Sequence, residues 1–166
     1  MPLILLFLSC LRFLGPGPGP VPRATVYVFL ADTCPISQAA TLPLRELYGQ
    51  YAGRGIGFVG VFPAAATTPA ILAAFAKTYQ LPFALQPDPG HRLTCRLHAR
   101  VTPEVVVLAP DGRTILYQGR LNDAYAALGQ HRPVVRHQEL ADALAAVVAG
   151  RPVAVPRTEP VGCFIE

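Results

Sequence analysis

From residue 25 onward the chain alternates between continuous apolar runs and stretches with apolar residues every three or four positions. Residues 25–31 (TVYVFLA) are β-branched, aromatic and apolar without alternation, the pattern of a strand covered on both faces. A helix is predicted over 35–52, with Asp32 or Thr33 as its cap and Pro35 in its first turn. Residues 56–62 (IGFVGVF) repeat the buried-strand pattern. Thr68 caps a helix beginning at Pro69, which carries Ile71, Leu72, Phe75 and Tyr79 at helical spacing. A short extended piece at 82–86 precedes a helix over 91–100. Residues 104–109 (EVVVLA) and 114–119 (TILYQG) are strands joined through Asp111-Gly112, a hairpin signal. The last helix, 138–149, places Leu140, Leu144 and Val147 or Val148 on one face and ends at Gly150. This order predicts an α/β fold, a central mixed sheet of four or five strands flanked by helices.

Upstream of residue 23 the pattern changes. Leu3 to Leu14 is the longest apolar run, interrupted by Ser9, Cys10 and Arg12, and it falls short of the roughly 18–20 residues a spanning helix needs. At the N-terminus such a run reads as the apolar core of an export signal, although Pro2 stands where a basic residue is usual. Leu6-Phe7-Leu8-Ser9-Cys10 resembles the lipobox of bacterial lipoproteins, which implies a membrane tether through Cys10. Residues 15–22 (GPGPGPVP) support neither helix nor sheet and read as a linker. The expected organisation is an anchor or signal at 1–14, a linker at 15–22, a folded domain at 23–150 and a tail at 151–166, with an extracytoplasmic location, the bacterial periplasm.

Composition narrows the function classes. With 52% hydrophobic and 14% charged residues in a chain of 166, there is enough apolar material for one domain with a packed core. The net charge of +4 is carried almost entirely by dispersed arginines, with Lys77 the single lysine, so no nucleic-acid footprint is expected. Phosphate-cradling glycine loops, paired catalytic carboxylates and Ser-His-Asp spacings are not found, and no cofactor is expected.

The candidate chemistry lies with the cysteines. Cys34 follows the first buried strand and opens the long helix, where unpaired amides and the helix dipole favour a thiolate. The alternative is a buried thiol behaving as a small hydrophobe. His91, Cys95 and His98 fall at i, i+4 and i+7, on one face of the predicted helix, a zinc- or copper-compatible set opposed by the neighbouring Arg92, Arg96 and Arg100. The plainer reading is an exposed polar face, with no resident metal. His131 and His137 lie in a basic loop, either as surface residues or as groups that orient a substrate.

Cys34-Pro35-Ile36-Ser37 after an apolar strand, Pro43 within the helix, Thr102-Pro103 ahead of a strand and Asp111-Gly112 in a hairpin together resemble the thioredoxin superfamily. That resemblance implies a thioredoxin-like fold and a cis Pro103 facing the thiol. Arg100-Val101-Thr102-Pro103-Glu104, Tyr117-Gln118-Gly119-Arg120-Leu121-Asn122-Asp123 and the closing Gly162-Cys163-Phe164-Ile165 resemble a peroxiredoxin-like branch, related to alkyl hydroperoxide reductase and thiol-specific antioxidant proteins. The chain departs from both well-understood motifs. Ser37 stands where thioredoxin-type reductases have a second Cys, while Ala31 and Tyr27 stand where peroxiredoxins have a hydroxyl residue and Pro. The branch often carries a Cys where this chain has Val101, and it commonly ends in Gly-Cys, so Cys163 becomes the resolving candidate, borne on a Pro-rich end with Pro152, Pro156 and Pro160.

The expected function is a thiol oxidoreductase in which Cys34 attacks a disulfide or a peroxide and Cys163 or an external thiol resolves the adduct, with Thr102 and Pro103 completing the site. Its expected partners are a protein thiol or disulfide, or a peroxide, and an external thiol reductant. Two other readings stand beside it, a metal-delivery redoxin using Cys34, Cys95 and the histidines, and an inactive redoxin-fold binding module.

Overall fold

The run around Val26 is apolar on both sides because both sides are covered. In a computed structural model, which describes residues 22–166, Ala24–Phe29 forms β1, the middle strand of a five-stranded sheet. The expected segment 1–14, its Cys10 and all but the last residue of the linker 15–22 lie outside the described residues. Strand β2 (Ile56–Phe62) runs parallel to β1, with Ala24 opposite Ile56 and Phe29 opposite Val61. Strand β3 (Ala84–Pro87) continues that parallel edge. On the other side of β1, β5 (Glu104–Leu108) and β6 (Ile115–Gly119) are antiparallel, giving the order β3-β2-β1-β5-β6. Between β3 and β5 lies β4, the two-residue strand Val101–Thr102. The sheet is mixed, as the order of elements predicts.

Alternation along β1 sends its side chains to two different cores. Val26 and Val28 meet Leu44 and Leu47 of α1 (Pro35–Tyr51), Leu72 and Phe75 of α2 (Pro69–Tyr79) and Leu140 and Leu144 of α4 (Glu139–Val148). Tyr27 and Phe29 meet a thinner layer made by Leu97 near α3 (Arg92–Leu97) and by Ile165 at the C-terminal end. Burying a Phe or Leu side chain contributes about 1.5–3 kcal/mol, so the second layer gains from every apolar residue the tail brings to it. Among the described residues no helix is long and apolar enough to cross a membrane.

Local chemistry sets the helix ends. Thr68 caps α2 by accepting the Ile71 N–H at 3.3 Å. Helix α1 is capped by Cys34 and not by Asp32 or Thr33. The helix expected over 91–100 is shortened at both ends. Asp88 accepts the Leu93 and Thr94 amides at 3.2 and 2.9 Å and so fixes where α3 starts, while His91 and His98 both take the left-handed conformation, with φ of 51° and 55°. Those two residues are the caps of α3 and not members of its face. The turn after β5 is held by Asp111, whose carboxylate accepts the Arg113 and Thr114 amides at 2.9 Å each, and Gly112 there has φ of 68°.

Two short pairings complete the fold. The expected basic loop around His131 is a small hairpin of β7 (Tyr125–Ala127) and β8 (Gln130–His131). The stretch 151–166, expected as a tail, is stitched to the sheet. Gln118 exchanges backbone bonds with Pro156 and Thr158 at 3.0 Å, and the Ile165 N–H donates to the Arg100 carbonyl at 3.0 Å. Its last strand, β9 (Cys163–Phe164), pairs antiparallel with β4, Thr102 opposite Cys163.

Candidate active site

Because β1 ends at Phe29 and α1 begins at Pro35, the connecting loop delivers Cys34 to the edge where β4, β9 and α1 meet. Pro35 at the first helical position pre-sets the turn of α1 and lacks an N–H that the helix start would leave unpaired in any case. Cys34 is 1% exposed. Its thiol donates to the Thr102 carbonyl oxygen at 3.1 Å, and the Thr102–Pro103 peptide is cis.

The structure brings Cys163 to the same sulfur. Burial pushes the Cys34 pKa up, but hydrogen bonds from the Cys163 thiol, the Ser37 N–H, the Cys163 N–H and the Ser37 hydroxyl outweigh it, and the net shift is downward. Cys163 moves the opposite way. Burial, its thiol's donation to Cys34 and the Cys34 charge together push it up to about 11. The two sulfurs are thus shifted in opposite directions, Cys34 toward easier ionisation and Cys163 toward keeping its proton.

Thr102 and Pro103 fall at the site as well. Thr102 faces Cys163 across the β4–β9 pair, and its hydroxyl donates to the Cys163 carbonyl at 3.4 Å. Pro103 lines a recess of about 100 Å³ with Ile36, Ala39 and Pro43 of α1, Leu121 and Val161, while Arg120, Asn122, Tyr125 and His131 supply its polar wall. Pro43 has no N–H to offer the Ala39 carbonyl, so the helix is one internal bond short at the wall of this recess. His131 stands edge-on to Tyr125, with ring centroids 5.0 Å apart.

Other sequence candidates are not brought together. Cys95 is exposed on α3. The His91 ring nitrogen Nε2 lies 3.0 Å from the Pro63 carbonyl, and the His98 carbonyl accepts from Gln118 at 3.2 Å. The shared helical face expected for His91, Cys95 and His98 does not form, because both histidines sit outside the helix in left-handed backbone. Among the described residues no three His, Cys, Asp or Glu side chains are grouped as a metal ion would require. The His137 backbone N–H is bound to Asp123 at 3.0 Å.

Three contributors were not singled out from sequence. Glu104, 1% exposed, accepts the Arg100 N–H at 2.8 Å, the Val101 N–H at 3.4 Å and the Gln118 amide at 2.8 Å, and so fixes the strand that carries Thr102. The available signal was a carboxylate heading the apolar run Val105-Val106-Val107. Ser37, noted only as the missing second Cys, accepts the Ala31 N–H at 3.2 Å and donates to Cys34. At Gly162, any Cβ would stand 2.3 Å from the Thr102 carbonyl oxygen, so only glycine lets β9 approach the cis peptide this closely.

Comparison with known proteins bears on the fold. No protein-family model and no curated protein matches the sequence. Solved structures do match. An uncharacterized conserved protein from Geobacillus kaustophilus is similar over 87% of this chain and 77% of its own, with 25% identity and a TM-score of 0.77. A secreted Mycobacterium tuberculosis disulfide oxidoreductase, homologous to Escherichia coli DsbE, is similar over 76% of this chain and 84% of its own, with 20% identity and a TM-score of 0.55. A thioredoxin-like protein from Aeropyrum pernix is similar over 80% of each chain, with 17% identity and a TM-score of 0.55. The fold is thioredoxin-like, and redoxins of the thiol-disulfide oxidoreductase type are among its structural neighbours.

Proposed function

We propose that the protein is a two-cysteine thiol oxidoreductase in which Cys34 is the nucleophile and Cys163 the resolving thiol. The observation that carries this reading is that both cysteines meet at the Thr102–Pro103 peptide, Cys34 through its thiol bond to the Thr102 carbonyl at 3.1 Å and Cys163 through its pairing with Thr102 across β4 and β9. Hydrogen bonds to the charged form stabilise the Cys34 thiolate, and the thiolate is the attacking species. When Cys34 attacks an oxidant its charge is consumed, and the charge and hydrogen bond that raise the Cys163 pKa go with it. Burial, the largest cause of the raised value, remains, yet Cys163 ionises more readily than before at the moment an adduct needs resolving. The Cys34 attack releases one thiolate of a disulfide, or water or an alcohol from a hydroperoxide; the Cys163 attack then releases the second thiolate, or water, as the Cys34–Cys163 disulfide forms, and an external dithiol restores both thiols by exchange.

Thr102 and Pro103 act by position, Thr102 through its carbonyl against Cys34 and its pairing with Cys163, Pro103 as a wall of the recess. Placement in the peroxiredoxin-like branch rests on the sequence resemblance. An extracytoplasmic site of action, expected from residues 1–14, suits a protein whose product is a disulfide. Non-reducing peptide mapping tests the reading. Mild peroxide treatment of the reduced protein is expected to give a Cys34–Cys163 bond, and C163S to leave Cys34 as a sulfenic acid or mixed disulfide. A Cys34–Cys95 bond, or the same products with and without Cys163, overturns it.

A further inference from the structure

We infer that the C-terminal strand β9 is a specificity element, closing the Cys34 site to polypeptide disulfides and leaving it to oxidants of hydroperoxide size; this rests on reading Cys34 and Cys163 as the redox pair. A polypeptide that presents a disulfide beside Cys34 needs a strand edge to align on, and the edge next to the sulfur is β4. That edge is already occupied. Phe164 faces Val101 and Cys163 faces Thr102 in the antiparallel pair.

The occupant is built in. Upstream of β9, Thr158 accepts the Arg120 N–H at 3.1 Å and shares a 2.7 Å bond with the Tyr117 hydroxyl, and Glu159 pairs with Arg100 at 2.9 Å. At the far end Ile165 packs on the core cluster of Phe29, Val61 and Leu97. Between these anchors Gly162 seats the strand against the Thr102 carbonyl, and Cys34 is left 1% exposed.

Size then decides which oxidant reacts. Attack on a disulfide places three sulfurs nearly in line, and both sulfurs of the substrate, the attacked and the leaving one, bear a carbon chain, whereas attack on hydrogen peroxide brings only an oxygen pair to the sulfur. In the peroxide reaction the S–O bond forms as the O–O bond breaks. The Cys34 sulfur loses two electrons, and water or an alcohol leaves with the proton. Cys163 then forms the S–S bond as the S–O bond breaks, releasing water, and an external dithiol returns the electrons.

The test follows modification of Cys34 by time-resolved mass spectrometry in the reduced full-length protein and in G162V, with hydrogen peroxide and with a disulfide-bridged pair of hexapeptides. The wild-type protein is expected to convert to the Cys34–Cys163 disulfide with peroxide and to form the mixed disulfide with the peptide far more slowly than an unfolded cysteine peptide does. In G162V the mixed-disulfide rate is expected to rise by about tenfold or more, the equivalent of about 1.4 kcal/mol of lost strand docking. The first peroxide step should not rise with it and is expected to slow, since loosening β9 withdraws the Cys163 thiol and N–H from the Cys34 sulfur while only the Ser37 donors remain. I165D, which removes the far anchor without touching the Thr102 loop, is expected to move in the same direction and serves if G162V does not fold. Equal mixed-disulfide rates in wild-type protein and both variants overturn the inference, as does an equal rise with both oxidants. Failure of the underlying redox pair looks different, because then no Cys34–Cys163 bond forms with any oxidant.

Discussion

Cys34 heads a helix and Cys95 lies within one, each helix following a strand and a turn, yet the two regions have little else in common. Cys34 caps the 17-residue α1, is buried, and is met by donors from Ser37 and Cys163. Cys95 is exposed within the 6-residue α3, and the histidines that flank it are engaged elsewhere, His91 near the Pro63 carbonyl and His98 at a backbone cap. Association with a helix is therefore not what separates them. The difference comes from segments distant in sequence, β4 and β9, which bring a carbonyl, an N–H and a second thiol to one sulfur and none of these to the other.

The largest effect expected from this contrast is an inversion of reactivity. Hydrogen peroxide should oxidise Cys34 first, because it needs little room and meets a stabilised thiolate. A bulky maleimide should label Cys95 first, by about tenfold or more, because reagent access enters the rate as well as ionisation. Competitive labelling with peptide mapping checks both orders. If Cys34 leads with both reagents, its sulfur is open and the contrast in burial has no kinetic meaning. The pH dependence has a definite sign. Since the folded Cys34 pKa lies below the ordinary thiol value, its oxidation rate should rise through a midpoint below that value and flatten above it. By linkage, the stability this thiolate contributes is full above the unfolded pKa and is lost as pH falls through the folded one. Cys163, raised to about 11, acts in the opposite sense, its contribution being lost as pH rises toward that value.

Much of the difference between the two regions depends on Glu104, which ties Arg100, Val101 and Gln118 together behind the site. E104A leaves two backbone amides and a side-chain amide without their acceptor in a buried place. It should cost about 2–4 kcal/mol in urea unfolding, since each unsatisfied buried group costs about 1–3 kcal/mol and some will find water. The same loss loosens β4, so maleimide labelling of Cys34 should approach that of Cys95. A stability change under about 0.5 kcal/mol, the range of an ordinary surface substitution, would show that the loop is held by other contacts.

The sheet and its helices were legible because their patterns are local. Runs such as Val105-Val106-Val107 and spacings such as Leu72 to Phe75 state their period within a few residues. Cys34 was legible too, since the strand exit and Pro35 adjoin it in sequence. The shape of the tail was not. Pro152, Pro156 and Pro160 read as a mobile end, yet prolines are compatible with an extended segment whose pairing is supplied by Gln118 and Arg100 from far away in sequence. The helix at 91–100 was overextended for a related reason. Left-handed caps at His91 and His98 are set by Asp88 and by the next turn, and nothing in the apolar spacing marks them.

The smallest expected effect concerns Ser37, the residue that stands where a second local cysteine would be. Its hydroxyl accepts the Ala31 N–H at 3.2 Å, and its hydroxyl and N–H both donate to Cys34, so it ties the end of the strand region to the sulfur at the head of the helix. S37A removes the hydroxyl donor and keeps the N–H. The Ser37 hydroxyl is the smallest of the contributions that lower the Cys34 pKa, so the midpoint of the Cys34 peroxide–pH profile should rise, but only slightly. S37T keeps the hydroxyl and should restore part of the shift, whereas a purely structural role for Ser37 would lower stability in both variants and leave the midpoint unchanged. The Cys95 labelling profile should be the same in all three proteins, because no part of the Ser37 arrangement reaches α3. A parallel shift at Cys95 would mean that the two thiols share an environment after all.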